Sequence, residues 1–210
     1  MEITYTPEQE GLRRELRAYY DELLDDETVE AMEGDTIGPV AKQLWKQMCD
    51  DGWAGLGWPK EYGGQDRDPI DQFIFFDESM RAGAPVATLT LNTVGPTIMR
   101  YGSEEQKQFY VDKILKGEIH FAIGYTESDA GTDLASLKTK AVRDGDEYII
   151  NGQKVFTSLA SGSDYIWLAV RTSTEAKKHK GISIIIVPTD TPGFSYKAID
   201  NFGNTNTNIT

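Results

Sequence analysis

The sequence predicts an α+β protein with an N-terminal all-α domain, followed by an antiparallel β-barrel or β-sandwich domain. Two patterns in the 210 residues predict this order. Apolar residues recur at steps of three and four through residues 1–118, whereas residues 119–210 hold short β-type runs separated by tight-turn dipeptides. The pattern changes just after Gly117, so we place the domain boundary there. No strand is followed by G-x-G-x-x-G, so a dinucleotide-binding parallel sheet is unsupported.

Five helices are predicted in the first domain. Thr6-Pro7 opens the first helix, because proline loses no hydrogen bond in a first turn. The second helix covers about Val40–Cys49, where the apolar residues fall on one face. Asp68-Pro69 opens the third helix, and the fourth covers roughly Pro85–Tyr101. A capping box at Ser103–Gln106 opens the fifth.

Six short strands are predicted in the second domain, with tight turns at Asp144-Gly145 and Asn151-Gly152. The predicted strands are Leu137–Arg143, Glu147–Ile150, Lys154–Ser158, Tyr165–Arg171, Gly181–Val187 and Phe194–Ile199. The last segment, Asn201–Thr210, alternates Thr and Asn and has no apolar closing strand. We therefore expect the second domain to be incomplete at this end.

Acidic residues are concentrated in the helical domain. The chain has 34 Asp and Glu against 21 Lys and Arg, a formal net charge of −13. Residues 1–118 hold 24 acidic against 12 basic side chains, and residues 119–210 hold 10 against 9. We interpret the excess as solvated helix faces, with an acidic docking surface as the alternative. Such a surface repels phosphate, so we expect no nucleic-acid partner and no membrane partner.

A targeting segment, a membrane span and a metal centre are all unsupported. The N-terminus has no basic start before an apolar stretch, and no apolar run reaches about 18 residues. The single cysteine, Cys49, excludes a disulfide framework, and His120 and His179 are too far apart for a histidine metal cluster. We expect a cytoplasmic protein in which Cys49 is a buried spectator thiol. Asp77 and Glu78, adjacent on one helix, are predicted to be an exposed charge pair.

Three segments, taken in order, resemble the acyl-CoA dehydrogenase family. Gly124–Asp133 (GYTESDAGTD) is close to the family's T-E-P-x-A-G-S-D flavin loop, and Asn151–Ser158 (NGQKVFTS) is close to its N-G-x-K-x-W-x-[ST] strand. Gly55–Gly64 (GLGWPKEYGG) is similar to a loop that members share between early helices. In sequence, these segments are most similar to actinobacterial members that act on steroid side chains as CoA thioesters. The resemblance implies an FAD-dependent subunit that dehydrogenates an acyl-CoA and passes electrons to an electron-transfer flavoprotein or a similar acceptor.

The resemblance assigns roles to four residues of the first segment. Tyr125 and Thr126 would present backbone N–H groups and a hydroxyl to the polar edge of the flavin ring. Gly131 would let the backbone approach closely. Thr132 would lie near the flavin pyrophosphate and the acyl-CoA, which makes it a substrate-binding candidate as well. From the residues alone, an alternative is that these threonines satisfy the loop's own amides.

In the second segment, the resemblance implies three cofactor-binding residues, Phe156, Thr157 and Ser158. Phe156 would stack on the flavin face away from the substrate, and Ser158 would offer its hydroxyl to the ring nitrogen that receives the hydride. Alternate residues of a strand point the same way, so both would face one ring. The alternative is that Phe156 is a core residue. The sequence departs from the family pattern twice, with Phe156 in place of tryptophan and Ser128 in place of proline.

The resemblance implies that the catalytic base lies beyond Thr210. In the family this glutamate belongs to a C-terminal helical bundle, so we name no catalytic residue here and expect these 210 residues alone to be inactive. Homo- or hetero-oligomers are expected. The basic run Lys177–Lys180 is predicted to be a solvated hairpin tip, with contact to CoA phosphates as the alternative. Two rival functions remain: a non-catalytic partner subunit without a working flavin site, and an acyl-CoA oxidase.

Overall fold

In a computed structural model, the chain forms two compact units, Met1–Ile119 and His120–Thr210. The structure describes residues 4–32, 35–174, 177–202 and 207–210. The first unit is helical and the second is built on a sheet, so the predicted α+β class is confirmed. Within those described ranges, no helix combines the length and the apolar character needed to span a membrane.

The described part of the first unit contains six α-helices. They are α1 (Pro7–Leu23), α2 (Asp26–Met32), α3 (Pro39–Asp50), α4 (Pro69–Ala82), α5 (Gly95–Tyr101) and α6 (Glu104–Leu115). The predicted starts of α1, α4 and α6 are confirmed, because Thr6, Asp68 and Ser103 accept hydrogen bonds from first-turn N–H groups. Helix α2 is not predicted. It buries a single side chain, which is too few for a periodic apolar pattern.

The predicted helix Pro85–Tyr101 contains a π-helical turn at Thr90–Val94 before α5 begins. In such a turn each carbonyl accepts from the N–H five residues later. For Leu91 that residue is Pro96, which has no N–H, so the carbonyl needs another donor. The indole N–H of Trp58 supplies it at 3.2 Å. The loop that carries Trp58 is therefore attached to the helix by a specific hydrogen bond.

Helix α1 packs on α4, and a buried carboxylate joins them. Glu78 is 3% exposed and accepts hydrogen bonds from Arg13 at 2.8 Å and from Arg17 at 2.8 and 2.9 Å. The prediction of an exposed pair is therefore wrong for Glu78, because two guanidinium groups of the neighbouring helix compensate for its burial. Asp77 pairs with Arg81 of its own helix at 2.9 Å.

The second unit has a five-stranded sheet and a separate two-stranded pair. The strands are β1 (Phe121–Gly124), β2 (Lys140–Asp144), β3 (Glu147–Asn151), β4 (Tyr165–Arg171), β5 (Ile182–Pro188), β6 (Lys197–Ala198) and β7 (Asn208–Ile209). The larger sheet has the order β1-β4-β2-β3, and β5 also pairs with β4. Most of the pairing is antiparallel, as predicted, but β1 lies parallel to β4. The long chain between these two strands permits that crossover.

Strand β4 is the centre of this sheet and is buried on both faces. Ile166, Leu168 and Val170 pack in one apolar cluster, and Ala169 packs in another. One edge of β4 pairs with β1 at its start and with β2 at its last residue. The residues that connect β1 to β2 therefore form a loop beside the central strand, and this loop carries the first candidate segment.

One predicted strand of the second unit is wrong, and one short strand was not predicted. Lys154–Ser158 is not a strand, because Phe156 lies in the left-handed region at φ 57° and interrupts any regular ladder. Backbone hydrogen bonds to residues 208–210 hold this segment instead. A closing strand was not expected after Asn201, yet β7 pairs antiparallel with β6. Residues 203–206 of the predicted tail lie outside the described residues.

Candidate functional site

The two candidate segments adjoin in the second unit. We call residues 125–139 the β1–β2 loop and Lys154–Ser158 the 154–158 segment. Nζ of Lys154 donates to the carbonyl of Tyr125 at 3.0 Å, and the N–H of Val155 donates to the carbonyl of Thr126 at 2.9 Å. These hydrogen bonds join residues that lie far apart in the chain and belong to no common strand.

The carboxylate of Glu127 closes the base of the β1–β2 loop. Its Oε2 accepts from the N–H of Lys138 at 2.6 Å. Its Oε1 accepts from the N–H and hydroxyl of Thr139 at 2.8 and 2.6 Å, and from Nζ of Lys154 at 2.8 Å. The Glu127 backbone also exchanges two hydrogen bonds with Ala130. Because this carboxylate belongs to the start of the loop and bonds to the end of the loop, the path of the loop is well determined.

Glu127 and Lys154 form a buried ion pair in which each group alters the protonation of the other. Burial by itself raises the pKa of Glu127, but hydrogen bonds from Lys154, from Thr139 and from the Lys138 N–H outweigh it and lower the pKa to about 2. Burial lowers the pKa of Lys154 below its ordinary value, against the attraction of Glu127. A carboxylate with such a low pKa and with both oxygens bonded is a poor proton acceptor.

Tyr125 and Thr126 differ in whether their polar groups bond to other described residues. The hydroxyl of Tyr125 accepts from the indole N–H of Trp167 on β4 at 3.0 Å. Thr126 is half-buried, and neither its N–H nor its hydroxyl bonds to any other described residue. Thr126 therefore offers two polar groups at the place where the resemblance implies contact with a ring edge.

Phe156 and Ser158 are both exposed, and Thr157 is buried between them. Phe156 is 65% exposed, so the alternative that it is a core residue is wrong. Its left-handed backbone costs about 1 kcal/mol or more, a strain typical of functional positions. The Ser158 hydroxyl lies 3.0 Å from that of Thr207. Thr157 is fully buried with its hydroxyl 3.1 Å from that of Thr210, so its side chain supports the segment.

Gly131 and Thr132 lie exposed on the outer part of the β1–β2 loop. A Cβ added at Gly131 would meet no described atom within 4 Å. The packing of the described chain therefore does not require glycine at this position, and the space beside it is open to a ligand. This is compatible with the close backbone approach that the resemblance implies for Gly131.

Two further carboxylates of the loop are paired with lysines. Asp129 contacts Lys138 at 2.8 Å, and Asp133 contacts Lys178 at 2.6 Å. Surface pairs of this kind contribute little to stability, but they reduce the negative charge of the loop. Lys178 belongs to the basic run Lys177–Lys180, which is exposed between β4 and β5, as the prediction of a solvated tip requires.

The cysteine and the two histidines lie apart from the candidate segments in the sequence and form no metal-ligand group among the described residues. Cys49 is buried in α3, and burial raises the pKa of its thiol, as expected of a spectator. His120 precedes β1, and its backbone N–H donates to Asp164 at 2.7 Å. His179 is exposed. Across the described ranges, no three His, Cys, Asp or Glu side chains are grouped as metal ligands would be.

Thr126, Phe156 and Ser158 carry the kinds of group that bind a planar ligand. An exposed aromatic ring provides a stacking face, and the N–H and hydroxyl groups provide donors for polar edge atoms. Both carboxylate oxygens of Glu127 already accept hydrogen bonds. These groups are therefore better suited to ligand binding than to proton transfer.

The fold consists of a helical unit followed by a sheet unit in which the two candidate segments adjoin. Comparison with known families agrees with that description. The profile "Acyl-CoA dehydrogenase, N-terminal domain" matches residues 6–118, and the profile "Acyl-CoA dehydrogenase, middle domain" matches residues 122–210. The chain belongs to the acyl-CoA dehydrogenase family.

Individual relatives are similar over the whole chain. "Acyl-CoA dehydrogenase FadE26" of Mycobacterium tuberculosis is 54% identical over 217 residues, covering 100% of this chain and 54% of that protein. A crystal structure of the ChsE4-ChsE5 complex from Mycobacterium tuberculosis matches with TM-score 0.93 and 54% identity, covering 100% of this chain and 54% of that one. A structure titled "Tcur3481-Tcur3483 steroid ACAD" matches with TM-score 0.94 and 54% identity, covering 100% and 55%. The chain thus spans about half the length of the curated relatives it matches.

Neither Lys154 nor Glu127 has a role predicted from the sequence, although both lie within the candidate segments. One feature of the sequence could have indicated a buried ion pair. A lysine begins the run Lys154–Phe156, whose other residues are typical of a buried strand. A charged side chain at such a position is rarely buried without a partner. The identity of the partner depends on the tertiary structure.

Proposed function

We propose that this chain is the N-terminal and middle part of an FAD-dependent acyl-CoA dehydrogenase subunit that catalyses α,β-dehydrogenation of an acyl-CoA thioester. A steroid side-chain CoA ester is the proposed substrate, because a solved relative at 54% identity is titled a steroid ACAD. One observation carries the proposal: Lys154 and Val155 bond to Tyr125 and Thr126. The Thr126 N–H and hydroxyl, which bond to no other described residue, therefore adjoin the segment with the exposed Phe156.

The residues present fit a flavin ring. Phe156 would stack on one face, and the Thr126 N–H and hydroxyl, with the Tyr125 backbone, would bond to the polar edge. Ser158 would donate to the ring nitrogen. Thr157, whose side chain is buried, would hold the backbone of Phe156 and Ser158 in place. Gly131 and Thr132 would lie near the pyrophosphate, with Thr132 also touching the acyl-CoA. When bound, the flavin would supply hydride acceptance from the β carbon of the substrate.

The chain's own contribution to this reaction is binding and orientation. Donors on a loop with a determined path stabilise negative charge on a ring edge without reorganising. An aromatic wall sets the plane of the ring and excludes water from that side. We assign removal of the α proton to no residue here, since the oxygens of Glu127 are already bonded. We therefore infer that these 210 residues alone do not turn over an acyl-CoA.

The proposed partners are an electron-transfer flavoprotein or a similar acceptor, and further subunits of an oligomer. A solved relative is titled a complex of ChsE4 and ChsE5, which favours a heteromeric assembly for this chain too. The second candidate function is the non-catalytic subunit of such an assembly. Phe156 and Ser128, which replace the family's tryptophan and proline, favour that candidate. A cytoplasmic location stays a prediction.

Flavin uptake tests the proposal. The chain is purified alone and with its partner subunit, and bound flavin is measured by its absorbance in the visible blue. Phe156→Ala is expected to weaken uptake about tenfold. Tyr148→Ala removes an exposed aromatic ring from β3 and serves as the matched control, with uptake unchanged. Colourless protein in both preparations contradicts the proposal and supports the non-catalytic subunit. Oxygen consumption on substrate addition would identify an oxidase.

A further inference from the structure

We propose that Lys154 is a positioning residue that aims the Thr126 N–H at bound flavin by holding the Tyr125–Thr126 peptide group from the opposite side. This inference rests on the proposed function. It concerns a side chain that does not itself reach the ligand surface, since Lys154 is 1% exposed. Lys154 therefore acts on the ligand only indirectly, through the loop groups to which it bonds.

The geometry follows from the planarity of the peptide bond. In a trans peptide the C=O and the next N–H point in opposite directions. Nζ of Lys154 holds the Tyr125 carbonyl at 3.0 Å on the buried side, so the Thr126 N–H points away from the buried ammonium. The next carbonyl, that of Thr126, is held by the Val155 N–H at 2.9 Å. Thr126 is thus fixed by hydrogen bonds to the peptide groups on both of its sides.

The carboxylate of Glu127 makes this use of a lysine possible. A buried ammonium without a counter-charge is strongly unfavourable, and Glu127 supplies the charge at 2.8 Å. The same carboxylate also bonds to the N–H groups of Lys138 and Thr139, so the ammonium is tied to both ends of the β1–β2 loop. An apolar side chain of the same length would fill the space, but it would leave the Tyr125 carbonyl without its donor.

The test compares Lys154→Met with Lys138→Met. Methionine keeps the length of the side chain but cannot donate, and Lys138 forms an exposed ion pair in the same loop. In the flavin-free chain, Lys154→Met is expected to speed amide hydrogen exchange at Glu127 and Thr139 about tenfold, because their hydrogen bonds lose an anchor. In the flavin-loaded protein it is expected to shift the visible flavin spectrum and to weaken affinity about tenfold. Lys138→Met is expected to change neither property.

The outcomes separate the inference from the proposed function. Faster exchange with an unchanged spectrum and affinity would show that Lys154 is merely structural, which overturns the inference. Unchanged exchange in a folded Lys154→Met also overturns it. If wild-type protein takes up no flavin with its partner present, the proposed function fails, whatever the exchange data show. Should Lys154→Met not fold, the double variant Glu127→Gln/Lys154→Met removes both charges and is measured in the same two ways.

Discussion

Replacing Glu127 by glutamine tests the buried ion pair of the sheet unit directly. The folded pKa of Glu127 is about 2 against an ordinary value of 4.5. At about 1.4 kcal/mol per pH unit, this difference corresponds to about 3 kcal/mol of stability at neutral pH. In Glu127→Gln the side-chain oxygen still accepts from Lys154, but the new NH₂ group faces the Lys138 N–H, and the ammonium stays buried without a counter-charge. We expect a loss of about 3 kcal/mol in the free energy of unfolding.

The measurement is urea unfolding at pH 7, followed by tryptophan fluorescence. Trp167 lies in the sheet unit and bonds to Tyr125, so comparison with Trp167→Phe assigns the transition to that unit. The double variant Glu127→Gln/Lys154→Met is expected to lose less than Glu127→Gln, because no unpaired charge remains. Asp129→Asn breaks only an exposed pair and is expected to change stability by less than about 1 kcal/mol.

The same pair predicts a dependence on pH. Because the folded pKa of Glu127 lies below its ordinary value, its contribution is complete above about pH 4.5 and is lost as the pH falls from 4.5 toward 2. Wild-type stability should therefore fall more steeply across this window than that of Glu127→Gln. Equal slopes, or a Glu127→Gln variant within about 0.5 kcal/mol of wild type at pH 7, would refute the reasoning.

Three further variants test other parts of the fold. Glu78→Gln removes the charge that Arg13 and Arg17 share, and should destabilise the helical unit by about 2–3 kcal/mol in urea unfolding; a neutral result would mean that the buried pair adds nothing. Trp58→Phe keeps a ring but leaves a carbonyl of the π-helical turn without its donor, and should lower the free energy of unfolding by about 1–3 kcal/mol. A smaller loss would contradict the role given to this hydrogen bond. Gly152→Ala places a Cβ too close to the Thr139 hydroxyl, which bonds to the loop carboxylate, so the loop must shift and flavin uptake should fall. Unchanged uptake would show that the position of this loop does not affect flavin binding.

Much of the helical unit could be predicted because its signals are local. A capping residue and the first turn that it bonds to are neighbours in the chain, as at Thr6 and Ser103. Glu78 was predicted wrongly because its burial depends on arginines that lie on another helix, 65 and 61 residues away. The spacing of residues in a helix indicates which side chains share a face, but it does not indicate which other element packs against that face.

The candidate site divides in the same way. The residue types of segments 124–133 and 151–158 were sufficient to indicate the family, because the motifs are contiguous. The strand predicted at Lys154–Ser158 failed because the left-handed backbone of Phe156 is imposed by surrounding contacts and opposes the ordinary preference of an aromatic residue. The exposure of Phe156 was likewise undecided, since a strand-like pattern fits core and surface equally well.

By itself, the amino-acid sequence determined the order of the two units, most helix starts and the segments that resemble a flavin loop, since each depends on residues close together in the chain. Tertiary structure alone decided that Lys154 bonds to Tyr125 and Glu127, residues 29 and 27 positions away. The reason is physical. Burial of an ammonium is tolerable only where a carboxylate and a carbonyl are brought to it, and only the folded chain brings them together.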